Sequence, residues 1–195
     1  MTTLWDRSRE VAVQAILDTA VRLFAEQGYE RTTIAQIARE AGISQRSLFR
    51  YFGTKEDLVC GDQDALGDLL KRTVEQQPAE MSAWDALRAG FEVLLTANHT
   101  PDRALELSRL IFGTPSLHAR YIEKRLRWQA ALLPAVQARL KNTTGPAASD
   151  PRARAIIATV FACADTATEL WVEHDGRLDL KDLYDQCLAA VRNPG

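Results

Sequence analysis

Three cysteines and three histidines are all the thiol and imidazole that this chain of 195 residues carries. Cys60, Cys163 and Cys187 lie far apart with no CxxC pair, which argues against a disulfide scaffold and against a zinc site. His99, His118 and His174 have no ligand-type spacing to one another or to cysteine. No Ser-His-Asp order, glycine-rich phosphate loop or pair of metal ligands can be read, so an enzyme is unsupported and neither metal nor cofactor is expected. Long apolar runs are missing too. The longest uncharged one, AIIATVFACA at 155–164, is far too short to span a bilayer, so no membrane partner is expected. The opening MTTLWDRSRE carries charge where a signal peptide needs an apolar run, and the expected address is the cytoplasm. An excess of positive charge is also absent. The 24 basic and 26 acidic residues give a net charge of −2, so any polyanion must be met by a local patch.

What the chain does have is helical periodicity almost throughout, with no convincing strand alternation. The expected fold is all-α, with about nine helices. The first fits 7–27, where Val11, Ile16, Ala20, Leu23 and Phe24 form an apolar stripe and Gly28 is a natural stop. Thr33 with Gln36 opens a short second helix as a capping box, and Gly42 ends it. Ser44 caps a third helix that runs to about Tyr51, and Thr54 with Asp57 opens a fourth over about 55–76. Five more fit 82–97, 102–112, 116–140, 151–174 and 180–192. The breaks between them carry Pro78, NHTPD, GTPS, HDGRLD and a ten-residue stretch from Asn142 that reads as the one flexible loop. Pro134 should kink or split its helix. The expected division is 1–54 and 55–195.

Residues 34–53 form a unit of two short helices around a tight turn. Ala38 is small enough for a steep crossing, and Gly42 supplies the positive φ of the turn. Ile34, Ile37, Ile43, Leu48 and Phe52 then fall on inward faces. This is the recipe of a helix-turn-helix, and it makes double-stranded DNA the expected partner. On the second of its helices Gln45, Arg46, Phe49 and Arg50 point outward. Gln45 can pair with adenine, either arginine can grip guanine, and Phe49 can lie on a thymine methyl. Between 31 and 55 there are five cationic side chains against Glu40 alone, a net of +4, which leaves −6 for the remainder of a −2 chain. Thr32, Thr33, Tyr51 and Lys55 flank the reading stripe, where hydroxyls, an ammonium and free helix-terminal amides can hold phosphates. Arg7 and Arg9 can extend that footprint or be plain solvated arginines. A pair of short helices of this kind also occurs in proteins that bind no DNA.

The stretch LFAEQGYERTTIAQIAREAGISQRSLFRYFGTKEDLV, residues 23–59, resembles the DNA-binding domain of the TetR family of transcriptional regulators. The likeness rests on Phe24, Gly28–Tyr29, Thr32–Thr33, Ile37–Ala38, Ala41–Gly42, Leu48, Phe52 and the run Lys55, Glu56, Leu58, and covers roughly residues 7–60. It implies an N-terminal three-helix DNA-binding domain, then a helical ligand-binding and dimerisation bundle. The helix at 44–51 would be the recognition helix. Thr33, Tyr51 and Lys55 would contact phosphates, while Gln45, Arg46 and Phe49 would approach bases. Phe49 and Tyr51 replace the tyrosine and histidine common there, which can alter the preferred operator.

In the remainder, the last two helices carry broad apolar faces: Ile157, Val160, Phe161, Ala164, Thr168 and Trp171, then Leu180, Leu183, Tyr184, Cys187, Leu188 and Val191. These faces can be buried within one chain or against a twin, and the resemblance implies the twin, a homodimer. Phe91, Phe112, Tyr121, Trp128 and Phe161 are candidates for a small-molecule pocket, although large apolar residues at helical spacing are usually core. Arg120, Lys124, Arg125 and Arg127 form a basic run that reads as a solvated face or as a seat for a phosphate-bearing ligand. LWVEHDGRLDLKDLYDQCLAAV resembles the C-terminal domain of mycofactocin-type regulators, which implies an apolar or acyl-CoA-like effector. The expected function is thus a ligand-responsive DNA-binding regulator, a repressor released by its effector. The alternatives are a helical small-molecule-binding or adaptor protein without sequence-specific DNA binding and, more remotely, an enzyme on a helical bundle.

Overall fold

A computed structural model describes residues 4–60, 63–97, 100–140 and 151–192. His99, the loop from Asn142 and the side chains of Arg7, Arg9 and Cys60 lie outside what is described. Among the described residues every regular element is a helix: α1 (Leu4–Gln27), α2 (Ile34–Glu40), α3 (Gln45–Tyr51), α4 (Asp57–Cys60), α5 (Gln63–Gln76), α6 (Ala83–Ala97), α7 (Pro101–Gly113), α8 (Pro115–Arg139), α9 (Pro151–Glu173) and α10 (Leu180–Arg192). The helix expected over 55–76 corresponds to α4 and α5. α8 runs through Pro134 without splitting, held by buried Leu132 and Val136 on either side of the proline.

The chain divides into two compact units. The first comprises Met1–Asp62 and Leu110–Arg120. In it α1 packs on α2 and α4, and α2 packs on α3. Ile16, Ala20, Leu23 and Phe24 bury the stripe of α1, but Val11 is 71% exposed and does not belong to it. The register of that stripe begins one turn later than the sequence suggests. Tyr29 extends the core, its ring 5.0 Å from that of Phe24, and Ser116 reaches back to Glu30 with a 2.8 Å hydrogen bond.

The second unit comprises Gln63–Arg109 and Tyr121–Gly195. Its core draws on α5, α6, α8, α9 and α10, with Leu70, Leu87, Phe91, Leu132, Phe161 and Tyr184 among its largest members. Each such side chain is worth about 1.5–3 kcal/mol of burial. The apolar face of α9 therefore lies against α6 and α10 of the same chain, with Ile157, Val160, Phe161 and Trp171 buried. Its length and composition alone would allow α9 to cross a membrane, but its seven buried side chains make it a core helix. At the far end of α10 Val191 is half exposed and leaves the expected stripe. The guanidinium of Arg139 closes the turn after α5 by donating to the carbonyls of Val74, Gln77, Pro78 and Met81 at 2.6–3.3 Å. Those carbonyls end or follow a helix, and the backbone itself serves two of them only through the tight turns Gln77 to Val74 and Met81 to Pro78.

Candidate nucleic-acid interface

Local chemistry sets the two short helices. The Thr33 hydroxyl accepts from the Gln36 amide at 3.2 Å, and Gln36 Oε1 accepts from the Thr33 amide at 2.9 Å, the expected capping box. After α2 the chain turns at Gly42, whose φ is +69°, and the Gly42 and Ile43 amides return to the carbonyls of Arg39 and Ala38. The Ser44 hydroxyl then accepts from the Ser47 amide at 3.1 Å and starts α3. Ile37, Ala38 and Leu48 are buried at the crossing, and Phe52 closes it. Ile34 and Ile43 are half-buried at its edge.

With Leu48 and Phe52 turned inward, Gln45, Arg46, Phe49 and Arg50 stand exposed on the opposite side of α3. Phe49 is 49% exposed, an apolar ring left in water. Glu40, the lone acid of the basic window, is bound to Arg22 of α1 at 2.6 Å, and Arg22 also holds Glu26. The carboxylate is thus turned away from the reading face. No acidic side chain pairs with Arg46 or Arg50 among the described residues; Arg50 lies 5.6 Å from the ring of half-buried Tyr51.

The flanking residues differ from expectation. Thr32 is buried, and its hydroxyl is used up on the Gly28 and Leu23 carbonyls and on Gln27. It offers no hydroxyl to a phosphate and instead pins the link between α1 and α2. The Thr33 hydroxyl, although exposed, is engaged with Gln36. Lys55 donates to the carbonyls of Tyr29 and Thr32 at 3.1 and 3.3 Å, and its ammonium lies over the Tyr29 ring. One of its three N–H groups is left for a ligand. Tyr29 in turn donates to Glu56 at 2.9 Å. The sequence held no sign of this knot, because its members are 26 and 27 residues apart.

In the second unit Phe91 and Phe161 meet edge to face at 4.9 Å, both buried, and so act as core. Trp128 stands against Gly67, where an added Cβ would lie 2.5 Å from the indole nitrogen. Phe112 belongs to the first unit, 5.4 Å from His118. The basic run on α8 is not the solvated face it resembled. Lys124 and Arg125 are buried, whereas Arg127 is exposed and pairs loosely with Glu123. Arg125 pairs with Asp165 of α9, whose other oxygen accepts from the Tyr121 hydroxyl at 3.1 Å. Burial pulls the Arg125 proton affinity below its usual value. Among the described residues the hydroxyl of buried Tyr184 has no hydrogen-bond partner, and burial pushes its ionisation far above the usual phenol range.

A helix-turn-helix presenting guanidinium, amide and aromatic groups, followed by a helical body, defines a DNA-binding regulator. The profile of the bacterial regulatory proteins of the tetR family matches residues 16–60, and that of the MftR C-terminal domain matches residues 81–194. The chain belongs to the TetR family of transcriptional regulators, in the branch with an MftR-type C-terminal domain; these are regulators and not enzymes. It is 28% identical over 170 residues to a Mycobacterium tuberculosis protein named as a mycofactocin biosynthesis transcriptional regulator, MftR, covering 87% of this chain and 84% of that protein. It is 29% identical over 133 residues to the regulator TcmR of Streptomyces glaucescens, covering 64% and 58%. The fold matches the fatty acid degradation regulator FadR of Bacillus halodurans with a TM-score of 0.62 at 20% identity, over 93% of this chain and 95% of the other. FadR of Bacillus subtilis, solved with stearoyl-CoA, matches with a TM-score of 0.56 at 22% identity, over 92% and 97%.

Proposed function

We propose that this protein is a cytoplasmic repressor that binds a palindromic operator as a homodimer and is released by an apolar or acyl-type effector. Residues 1–54 read the DNA and residues 55–195 bind the effector and the twin. The observation that carries the reading is the exposed, unneutralised ridge of Gln45, Arg46, Phe49 and Arg50 on α3. Gln45, Arg46 and Phe49 meet base edges; Arg50, Tyr51 and the third N–H of Lys55 hold phosphates. Two recognition helices on a symmetric dimer address half-sites about 34–36 Å apart or somewhat more.

The broad apolar faces of α9 and α10 are already covered within the chain, so the twin docks on what they leave exposed. On α9 that is the small-residue line Ala155, Ala158, Ala162 and Thr166. The MftR-type domain and the likeness to a FadR solved with stearoyl-CoA support an acyl-type effector. The effector acts through its differential affinity for two arrangements of the recognition helices, and a coupling of about 1–3 kcal/mol suffices.

Selection of bound fragments from random duplexes, then mobility shifts at several salt concentrations, tests the reading. Operator affinity should fall log-linearly with salt. Gln45→Ala and Arg46→Ala should relax discrimination at particular base pairs, and Arg50→Ala should weaken all sequences alike. A protein with no preference among duplexes at low salt would instead be a helical binding or adaptor protein.

A further inference from the structure

A polar group in the second unit joins three residues of two helices. Tyr121 and Arg125 stand one turn apart on α8, and both hold Asp165 of α9. Among the described residues α9 packs closely on α10 and α6, while α8 shares the same core through Leu132 and Val136 and adds these long polar side chains. The guanidinium carbon lies 5.0 Å from the Phe161 ring centroid and 5.4 Å from that of Tyr121. Its flat faces are therefore against aromatic surface, and its edge is taken by a carboxylate.

The two charges are unequally buried. The Arg125 side chain is 7% exposed and that of Asp165 is 23% exposed. Arginine stays protonated in such a site, so its charge needs a partner at all times. Asp165 is the cheaper member to return to water, and it can take the Tyr121 hydroxyl as its remaining donor. A buried guanidinium with aromatic faces and a replaceable carboxylate is a receptor for a second anion, because two oxygens of an acid or phosphate match its fork as well as Asp165 does. A cation competing for Asp165 would have to drive the deeper Arg125 out of its aromatic seat, the costlier exchange.

We propose that Arg125 anchors the anionic head, carboxylate or phosphate monoester, of the effector, which enters by displacing Asp165. This rests on the reading that the body binds an apolar effector, and it adds the head group and the exchange. The apolar part then lies against Tyr121, the half-buried member of the two rings that flank the guanidinium. The exchange removes this polar tie between α8 and α9 and leaves their shared apolar core.

The test uses the full chain and four probes with one tail below their micelle concentrations: dodecanoate, dodecyl phosphate, dodecanol and dodecyltrimethylammonium. Affinity is read by calorimetry and stability by thermal unfolding. The two anions should bind at least roughly tenfold tighter than the alcohol, the preference expected of a charge-assisted bidentate contact. Which anion is tighter identifies carboxylate or phosphate as the natural head. Arg125→Met should erase the preference and leave the alcohol unchanged. Asp165→Asn covers the case in which Arg125→Met does not fold. It leaves Arg125 unpaired, so it should unfold at lower temperature, bind dodecanoate tighter than the parent, and recover its Tm with dodecanoate but not with dodecanol. Equal binding of acid and alcohol in the parent and in Asp165→Asn overturns the head-group assignment and leaves the apolar effector reading standing. Preferred binding of the ammonium overturns the direction of the exchange. If none of the four binds, the apolar effector reading fails and takes this proposal with it.

Discussion

The ammonium of Lys55 lies 4.0 Å from the centre of the Tyr29 ring while donating to the Tyr29 carbonyl at 3.1 Å and to the Thr32 carbonyl at 3.3 Å. One side chain thus satisfies the turn between α1 and α2 that a phosphate-binding lysine would leave alone. Lys55→Met keeps the stem and removes the charge. It should cost about 1–2 kcal/mol of stability without any DNA present, measurable by urea unfolding. An unchanged midpoint would mean that these contacts carry no net energy.

Gly42 has a φ of +69°, and nothing lies within 4 Å of a Cβ built on it. The penalty for a side chain there is purely one of backbone conformation. Gly42→Ala should destabilise by about 1–2 kcal/mol, and Gly42→Asn by less, because asparagine enters the left-handed region more readily. Thermal unfolding of the pair distinguishes this from a steric origin, in which the larger asparagine would be the worse.

Gly90 poses the opposite problem. A Cβ there would meet Leu70 Cδ1 at 2.7 Å and Val74 Cγ2 at 2.9 Å, where α5 and α6 pack. Alanine gains about 1 kcal/mol of helix propensity, but overpacking costs about 1–3 kcal/mol. The stiff branched Val74 cannot swing aside as Leu70 can. Gly90→Ala should therefore lower stability by up to about 2 kcal/mol in chemical denaturation. A gain would show that the crossing has room to relax.

Arg88 holds Asp185 in two contacts, Nε to Oδ1 at 2.5 Å and Nη2 to Oδ2 at 2.6 Å, with Lys181 adding a third at 3.1 Å. The Arg88 hydrogen bonds, and to a lesser degree Lys181, hold the Asp185 carboxyl below its ordinary value. A carboxylate with a depressed folded-state pKa stabilises above its unfolded value and loses that contribution as pH falls through its folded value. The parent should therefore weaken as pH drops from about 4 downward. Asp185→Asn should be less stable at neutral pH, and its disadvantage should shrink in acid. The group is about one-third exposed, so the effect is modest. Unfolding midpoints across pH for both proteins give the comparison.

The helix-turn-helix was legible because its signals act over three or four residues. Thr33 with Gln36, Ser44 with Ser47 and Thr54 with Asp57 close caps that are written into the chain. Gly28 and Gly42 mark positive φ wherever they occur. The all-helical class and the outward stripe of α3 follow from the same short-range periodicity. Contacts between distant residues were another matter. Nothing near Thr32 says that its hydroxyl is covered by Gly28 and Leu23, and four neighbouring cations on α8 read as solvated until Asp165 arrives from 40 residues away to pair with Arg125. Where α9 buries its apolar face was equally open in the chain, since packing within the protomer and docking of a twin ask for the same stripe. Hydrogen-bond reach and helical pitch are properties of adjacent residues; which buried charge meets which partner depends on how whole helices are brought together.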